Sequence, residues 1–193
     1  MSKEVIKKDF MHEVNNDFDL IKRFVEGDES SFNRLVIKYQ GKIYWHARRM
    51  TGNHLDADEI VQEVLIVLYN KLNTFEFNSS FYTWLYTITN TRSINYLKKK
   101  SLRSFFSLDE ITNKKSNEKD IIDNIEEKQK LEVVEKALQK LPIKQRQVFI
   151  MRNYDELSYE EISKITGKSI GALKANHFHA LNKLKELVKN EKP

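Results

Sequence analysis

The sequence has no cysteine among its 193 residues. That excludes a disulfide scaffold, thiolate metal sites and a cysteine nucleophile. Glycine and proline are scarce, at five and two. A β-rich fold needs many turn residues, so this chain reads as helical. Five glycines also leave no phosphate-cradling loop: neither GxGxxG nor GxxxxGKS/T occurs. No apolar run approaches the roughly 20 residues that cross a bilayer. The start, MSKEVIKKDFMHEV, is charged throughout and lacks an apolar stretch. A secretory signal is therefore not expected, and the expected compartment is the cytoplasm.

What the chain does have is charge, 32% of its residues, with a net of +5. Residues 1–100 carry +2, residues 101–130 carry −1 and residues 131–193 carry +4. The ends are basic and the middle is not. A basic balance points weakly to nucleic acid; local clustering matters more.

Periodicity divides the chain. Residues 1–16 read as an arm. A first helix is expected over 17–26, stopped by Gly27. In the next stretch Phe32, Leu35, Val36, Tyr39, Ile43, Ala47 and Met50 recur every three or four residues, one helical stripe. Thr51-Gly52-Asn53 ends it, with Gly near the C-cap. A third helix is expected over 56–72, with Ile60, Val61, Val64, Leu65, Leu68 and Leu72 on one face. Ile66 and Val67 fall outside that stripe, so this helix either sits deep or has a partner. Residues 73–80, NTFEFNSS, form a loop. A fourth helix then runs 81–100, capped by Ser79 or Ser80.

Residues 101–119 lack a sustained period and read as a flexible linker. Helical pattern resumes near Asp120, and Pro142 suits the opening of a further helix. Ser158-Tyr159-Glu160-Glu161 is a capping box. A short helix, the turn Thr166-Gly167-Lys168 and a longer helix capped by Ser169 then make a helix-turn-helix. The expected fold is all-α. Two small helical domains, an N-terminal bundle (17–100) and a C-terminal helix-turn-helix domain (120–193), are joined by the linker.

The second helix of a helix-turn-helix enters the major groove. Lys168, Lys174, Asn176 and His179 fall on or near its exposed face, and such side chains pair with phosphates or base edges. An ordinary helical hairpin with a solvated face is the plainer alternative. His177 and His179 are two apart and point in different directions, so they do not form a helical metal pair. His177 continues the stripe of Leu173, Ala180 and Leu184, which half-buries it. No metal site and no cofactor is expected. Asp56, Asp58, Glu59 and Glu63 suit the first turns of a helix by their charge; a protein-partner surface is the other reading. Between Phe75 and Lys100 a run of aromatics gives way to amides and then lysines. Trp84, Ile88, Thr91, Asn95 and Lys98 share one face. Rings can stack unpaired bases and cations can follow phosphates; core packing with a dipole-matched C-terminus is the alternative. No Ser/His/Asp arrangement or carboxylate pair supports an enzyme.

Four segments in order carry a resemblance: DLIKRFVEGDESSFNRLVIKY, DADEIVQEVLIVLY, FNSSFYTWLYTITNTRSINYLKKK and LPIKQRQVFIMRNYDELSYEEISKITGKSIGALKANHFHAL. The chain resembles the extracytoplasmic-function sigma factors, two-domain members of the bacterial sigma-70 family, over about residues 17–190. The resemblance implies that Asp58, Glu59, Gln62 and Glu63 contact the clamp of core RNA polymerase. It implies that Phe75, Asn78, Trp84, Thr91, Arg92, Asn95, Lys98 and Lys99 melt and read the minus-ten element. A base would be flipped into a pocket near the 73–80 loop. Lys168, Ser169, Lys174, Asn176, His177 and His179 would read the minus-thirty-five duplex, and the helices before them would meet the polymerase flap. An anti-sigma factor is a candidate partner. The rival class is a stand-alone helix-turn-helix regulator with a sensing or dimerising N-terminal half.

Overall fold

The computed structural model describes residues 16–106 and 133–190. The expected arm, most of the expected linker and the helical onset near Asp120 lie outside the described residues. Among the described residues every regular element is helical.

The first body holds four helices. Helix α1 covers 16–25. Helix α2 (Glu29–Thr51) starts where Asp28 accepts from the Ser30 amide, and ends at Gly52, left-handed at φ 72°. Helix α3 (His54–Lys71) is capped by the Asn53 side chain, which accepts from the Asp56 amide. A single 3-10 turn, Leu72–Thr74, leads into the loop. Helix α4 (Phe81–Phe106) starts where Ser80 Oγ accepts from the Thr83 amide at 3.1 Å. Of the two expected caps, Ser80 is the one used. The helix overruns its expected end at Lys100. Ser101 to Phe106 contain no glycine or proline, so no residue stops the helix there.

The expected stripes form the core. Leu35, Tyr39, Ile43 and Ala47 of α2 meet Ile60, Val64 and Leu68 of α3 and Phe81 and Leu85 of α4. Fully burying each large apolar side chain contributes about 1.5–3 kcal/mol. Two buried carboxylates orient the helices. Asp17 accepts from Tyr39 Oη at 2.5 Å and Lys38 Nζ at 2.7 Å, which ties α1 to α2. Asp56 accepts from Tyr96 Oη at 2.8 Å and from Lys100 Nζ, which ties the start of α3 to the C-terminal half of α4.

The second body comprises α5 (133–139), α6 (Ile143–Asn153), α7 (Tyr159–Thr166) and α8 (Ile170–Asn190). Pro142 stands one place before the first helical residue of α6, as its N-cap. The capping box is fully formed: Ser158 Oγ accepts from the Glu161 amide at 3.1 Å and Glu161 accepts from the Ser158 amide at 2.8 Å. Gly167, at φ 67°, makes the turn into α8. A residue with a Cβ is strained there. Ile162, Ile165, Leu173, Ala180 and Leu184 are buried, and Ile170 and Leu181 half-buried.

The two bodies are packed together, a contact that the periodicity gave no sign of. Tyr86 of α4 is buried among Val148, Met151 and Leu157 of the second body. His46 of α2, fully buried, meets Asp155 at 2.6 Å. Arg146 reaches across α5 and α6 to donate to the Met50 carbonyl at 2.6 Å, in the last turn of α2. A cation suits that negative helix end.

Candidate nucleic-acid interface

Helix α4 divides its circumference. Phe81, Leu85 and Thr89 face the core, and Tyr86 and Asn90 face the second body. The remaining face is open. Along it Trp84 and Ile88 are half-buried, while Thr91, Asn95 and Lys98 are exposed. The stripe drawn from 100° per residue is therefore the accessible one, apolar at one end and cationic at the other. Arg92 is half-exposed, 3.7 Å from Glu63 of α3. Lys98 and Lys99 are exposed, whereas Lys100 is engaged by Asp56.

At the apolar end sits the 73–80 loop. Phe75, the aromatic singled out from the sequence, is 6% exposed. Its ring packs against Trp84 at 5.3 Å and Phe77 at 4.9 Å. Phe77 is the loop's open aromatic, 39% exposed. Its backbone is left-handed at φ 59°, which costs a residue with a Cβ about 1–2 kcal/mol. The ring rests edge-on against Phe18 at 5.1 Å, and Lys22 Nζ lies 6.0 Å from its centroid. Asn78 is exposed and donates to Glu76 at 3.0 Å. Sequence reasoning missed Phe77 because alternation in a loop carries no burial signal.

Three acidic residues and a glutamine lie on one side of α3, while Asp56 is buried. Glu59 and Gln62 are exposed, and Asp58 and Glu63 half-exposed. Asp58 is 3.2 Å from His54 Nε2. The same side carries Leu55, Ile66 and Tyr69, which are exposed large apolar groups. Ile66 thus points outward, as its place off the core stripe implies. No group of carboxylates and histidines able to hold a metal occurs among the described residues.

In the turn before α8 Lys168 and Ser169 are exposed, and on α8 itself Lys174 and His179 face outward, with Asn176 half-exposed. Ser169 Oγ also accepts from the Ala172 amide at 3.3 Å. His177 has internal partners for both ring nitrogens. Nδ1 meets Tyr159 Oη at 2.7 Å and Nε2 meets Asn153 Nδ2 at 2.8 Å. Burial, and secondarily Arg152, hold its pKa below the ordinary 6.5. Tyr159 is flanked by Arg152 and Lys174, whose charges lie 5.5 and 5.7 Å from its ring centroid. Burial and the Asp155 charge likewise push Tyr86 upward, which keeps it a neutral phenol.

Comparison with known proteins decides between the two classes. Sigma-70 region 2 matches residues 35–103 and sigma-70 region 4 matches residues 131–184. The ECF RNA polymerase sigma-E factor of Escherichia coli K12 is 31% identical over 191 residues, covering 93% of this chain and all of that one. The chain belongs to the extracytoplasmic-function sigma factors. It is an RNA polymerase sigma factor, which binds core polymerase, recognises minus-ten and minus-thirty-five promoter elements and promotes transcription initiation. The RNA polymerase sigma-H factor of Pseudomonas aeruginosa is 30% identical over 177 residues, covering 85% of this sigma factor and 89% of its own length. Among solved structures, the sigma factor RpoE of Bartonella quintana, in complex with the anti-sigma factor NepR, is 25% identical. Its TM-score is 0.66, over 83% of this chain and 98% of that one. CnrH in complex with the cytosolic domain of CnrY shares the fold at a TM-score of 0.69 and 20% identity, over 92% of this chain and 99% of that one.

Proposed function

We propose a division of labour among the exposed faces. Residues 17–100 form the domain that docks on core polymerase and opens the minus-ten element. Residues 120–193 form the domain that reads the minus-thirty-five duplex, and 101–119 join them. On α3, Asp58, Glu59, Gln62 and Glu63 meet the polymerase clamp. On α4 and the preceding loop, Trp84, Thr91, Arg92, Asn95, Lys98, Lys99 and Asn78 take the non-template strand. Phe77, rather than the buried Phe75, offers the ring for an unpaired base. On α8 and the turn before it, Lys168, Ser169, Lys174, Asn176 and His179 face the duplex. His177 positions α8 through Tyr159 and Asn153. The chain acts in the cytoplasm, without catalysis and without a cofactor. An anti-sigma factor is a partner, and the exposed Leu55, Ile66 and Tyr69 of α3 offer it an apolar face.

The single observation behind this reading is the open stripe of α4, which runs from a loop aromatic to lysines on a helix whose other faces are already used. A sensing or dimerising domain has no use for such a gradient. The test is run-off transcription on genomic fragments with purified core polymerase, with and without the protein. Initiation from discrete start sites that needs both components supports the reading. Replacing Glu59 and Gln62 by alanine should weaken core binding while leaving the affinity of the protein for minus-thirty-five duplex intact. Replacing Trp84 and Asn95 should abolish opening but leave core binding. No initiation on any template, combined with tight binding of palindromic DNA by the protein alone, would overturn the reading.

A further inference from the structure

A groove of about 440 Å³ runs along the outer side of α2. Gly41, Lys42, Trp45 and Arg49 form its α2 side, and Tyr154 and Glu156, from the turn between α6 and α7, stand opposite. Sites for small molecules are of this size, roughly 300–1,000 Å³. None of these residues belongs to the faces assigned to the polymerase clamp, the minus-ten element or the minus-thirty-five duplex.

The groove offers a flat ring between cations. Trp45 is 43% exposed. Its ring is held edge-on by Tyr44 at 5.3 Å, and the Arg49 guanidinium lies 5.3 Å from its centroid. The same guanidinium lies 4.1 Å from the Tyr154 centroid. A ring fixed by its neighbours loses little freedom when a second ring stacks on it. Lys42 is exposed, with Nζ 5.1 Å from the Tyr82 centroid and 5.7 Å from that of Tyr39. Neither Lys42 nor Arg49 engages a carboxylate among the described residues. The rise from Lys42 to Arg49 is about 10 Å at about 1.5 Å per residue, with Trp45 between them. Lys38, one turn further back, also lines the groove, but it is bonded to Asp17 at 2.7 Å. The Asp155 carboxylate is turned to His46 at 2.6 Å and is 4% exposed. Glu156 is therefore the acid that the groove presents.

The backbone adds two observations. Gly41 sits in the middle of α2, where glycine weakens a helix relative to alanine. A Cβ there would meet no atom within 4 Å, so packing inside the protein does not require the glycine. What glycine leaves is an open floor, on which a ligand can approach the backbone closely. Glu156 is left-handed at φ 57°, a conformation disfavoured for a residue with a Cβ. Strain of this kind is concentrated at ligand clamps and other working sites.

We propose that this groove binds a nucleoside di- or triphosphate. An open indole with a cation on each side selects a ligand that is both flat and anionic. The base stacks on Trp45. Lys42, with Lys38 beside it, takes the phosphates by charge-assisted hydrogen bonds. The Glu156 carboxylate accepts from the sugar hydroxyls. The proposal does not depend on the sigma-factor reading, because the groove uses none of the residues that carry it.

The test is calorimetric titration of the full chain with ADP, GDP, adenosine and inorganic pyrophosphate. A nucleoside diphosphate should bind saturably, one per chain. Adenosine and pyrophosphate, each lacking one half of the ligand, should bind about tenfold more weakly or worse. Trp45→Ala should weaken nucleotide binding about tenfold through the lost stacking, and Lys42→Gln about tenfold through the lost charge. Gly41→Leu fills the floor with a better helix former. It should weaken binding about tenfold while melting at or above the native temperature, so that lost binding is separated from lost folding. Three results would each overturn the proposal. One is no saturable binding of either nucleotide up to about 1 mM. Another is nucleotide binding that Trp45→Ala and Gly41→Leu leave unchanged. The third is pyrophosphate binding as tightly as ADP, which would leave only a cationic surface.

Discussion

Consider His177 under acid. Asn153 Nδ2 donates to the Phe149 carbonyl at 2.9 Å as well as meeting His177 Nε2. That first bond fixes which end of the amide faces the ring, so Nε2 accepts. Nδ1 must then carry the proton and donate to Tyr159. Protonating Nε2 sets two donors against each other and breaks the Asn153 bond, beside the Arg152 charge. Loss of one such bond costs about 1 kcal/mol; the ring is partly solvated, so screening keeps the total near 1–2 kcal/mol. The sign is that of a base whose folded pKa is depressed. The contribution is complete above the unfolded value near 6.5 and is lost as pH falls below it toward the folded value. Thermal melts from pH 7.5 to 5 should therefore show the native chain losing more stability than His177→Ala, by a few degrees in Tm. At neutral pH the variant should itself be about 1–2 kcal/mol less stable, since two hydrogen bonds are gone. The reasoning is refuted if the two chains share the same pH slope, or if the His177 ring protons titrate by NMR at or above 6.5.

Three further outcomes are expected. Phe77→Ala should slow promoter opening by the stacking it removes, about 1–3 kcal/mol, and Phe77→Gly should do the same while melting higher than Phe77→Ala, because glycine relieves the left-handed backbone; a Phe77→Ala chain that opens promoters at the native rate would show that the ring is idle. Lys174→Ala should weaken minus-thirty-five duplex binding at low salt and lower the slope of log affinity against log salt by about one, measured by fluorescence anisotropy. An unchanged slope would place Lys174 away from phosphate. Gly52→Ala should destabilise by about 1–3 kcal/mol, because φ is 72° and a Cβ would stand 2.5 Å from the Gln139 side chain. The same melt performed on a chain ending at residue 106 should show a smaller penalty, since Gln139 is then absent.

The elements that the sequence made legible are those whose cause is local. The stripe from Leu35 to Met50 and the pair Asp28 and Gly52 fix α2 from residues a few places apart. The capping box at Ser158 and the left-handed Gly167 do the same for the helix-turn-helix. The open stripe from Trp84 to Lys98 followed from helical geometry, at 100° per residue. Local signals failed where burial depends on a distant partner. Phe75 and Phe77 are two residues apart with the same side chain, yet only the packing of Phe18, Phe81 and Trp84 decides which ring is covered. Asn153 of α6 and Tyr159 of α7 turn His177 inward, at separations of 24 and 18 residues.

By itself, then, the sequence determined that this chain is helical, where its described helices lie to within a turn or two, and which faces carry charge. Those properties arise from hydrogen bonds and side-chain spacing within one or two turns. Only the tertiary structure decided that the two bodies close on each other. His46 and Asp155 are 109 residues apart, and Arg146 and Met50 are 96 apart. No periodicity or cap encodes such a pairing. A buried polar contact of this kind exists only once both surfaces have formed and come together.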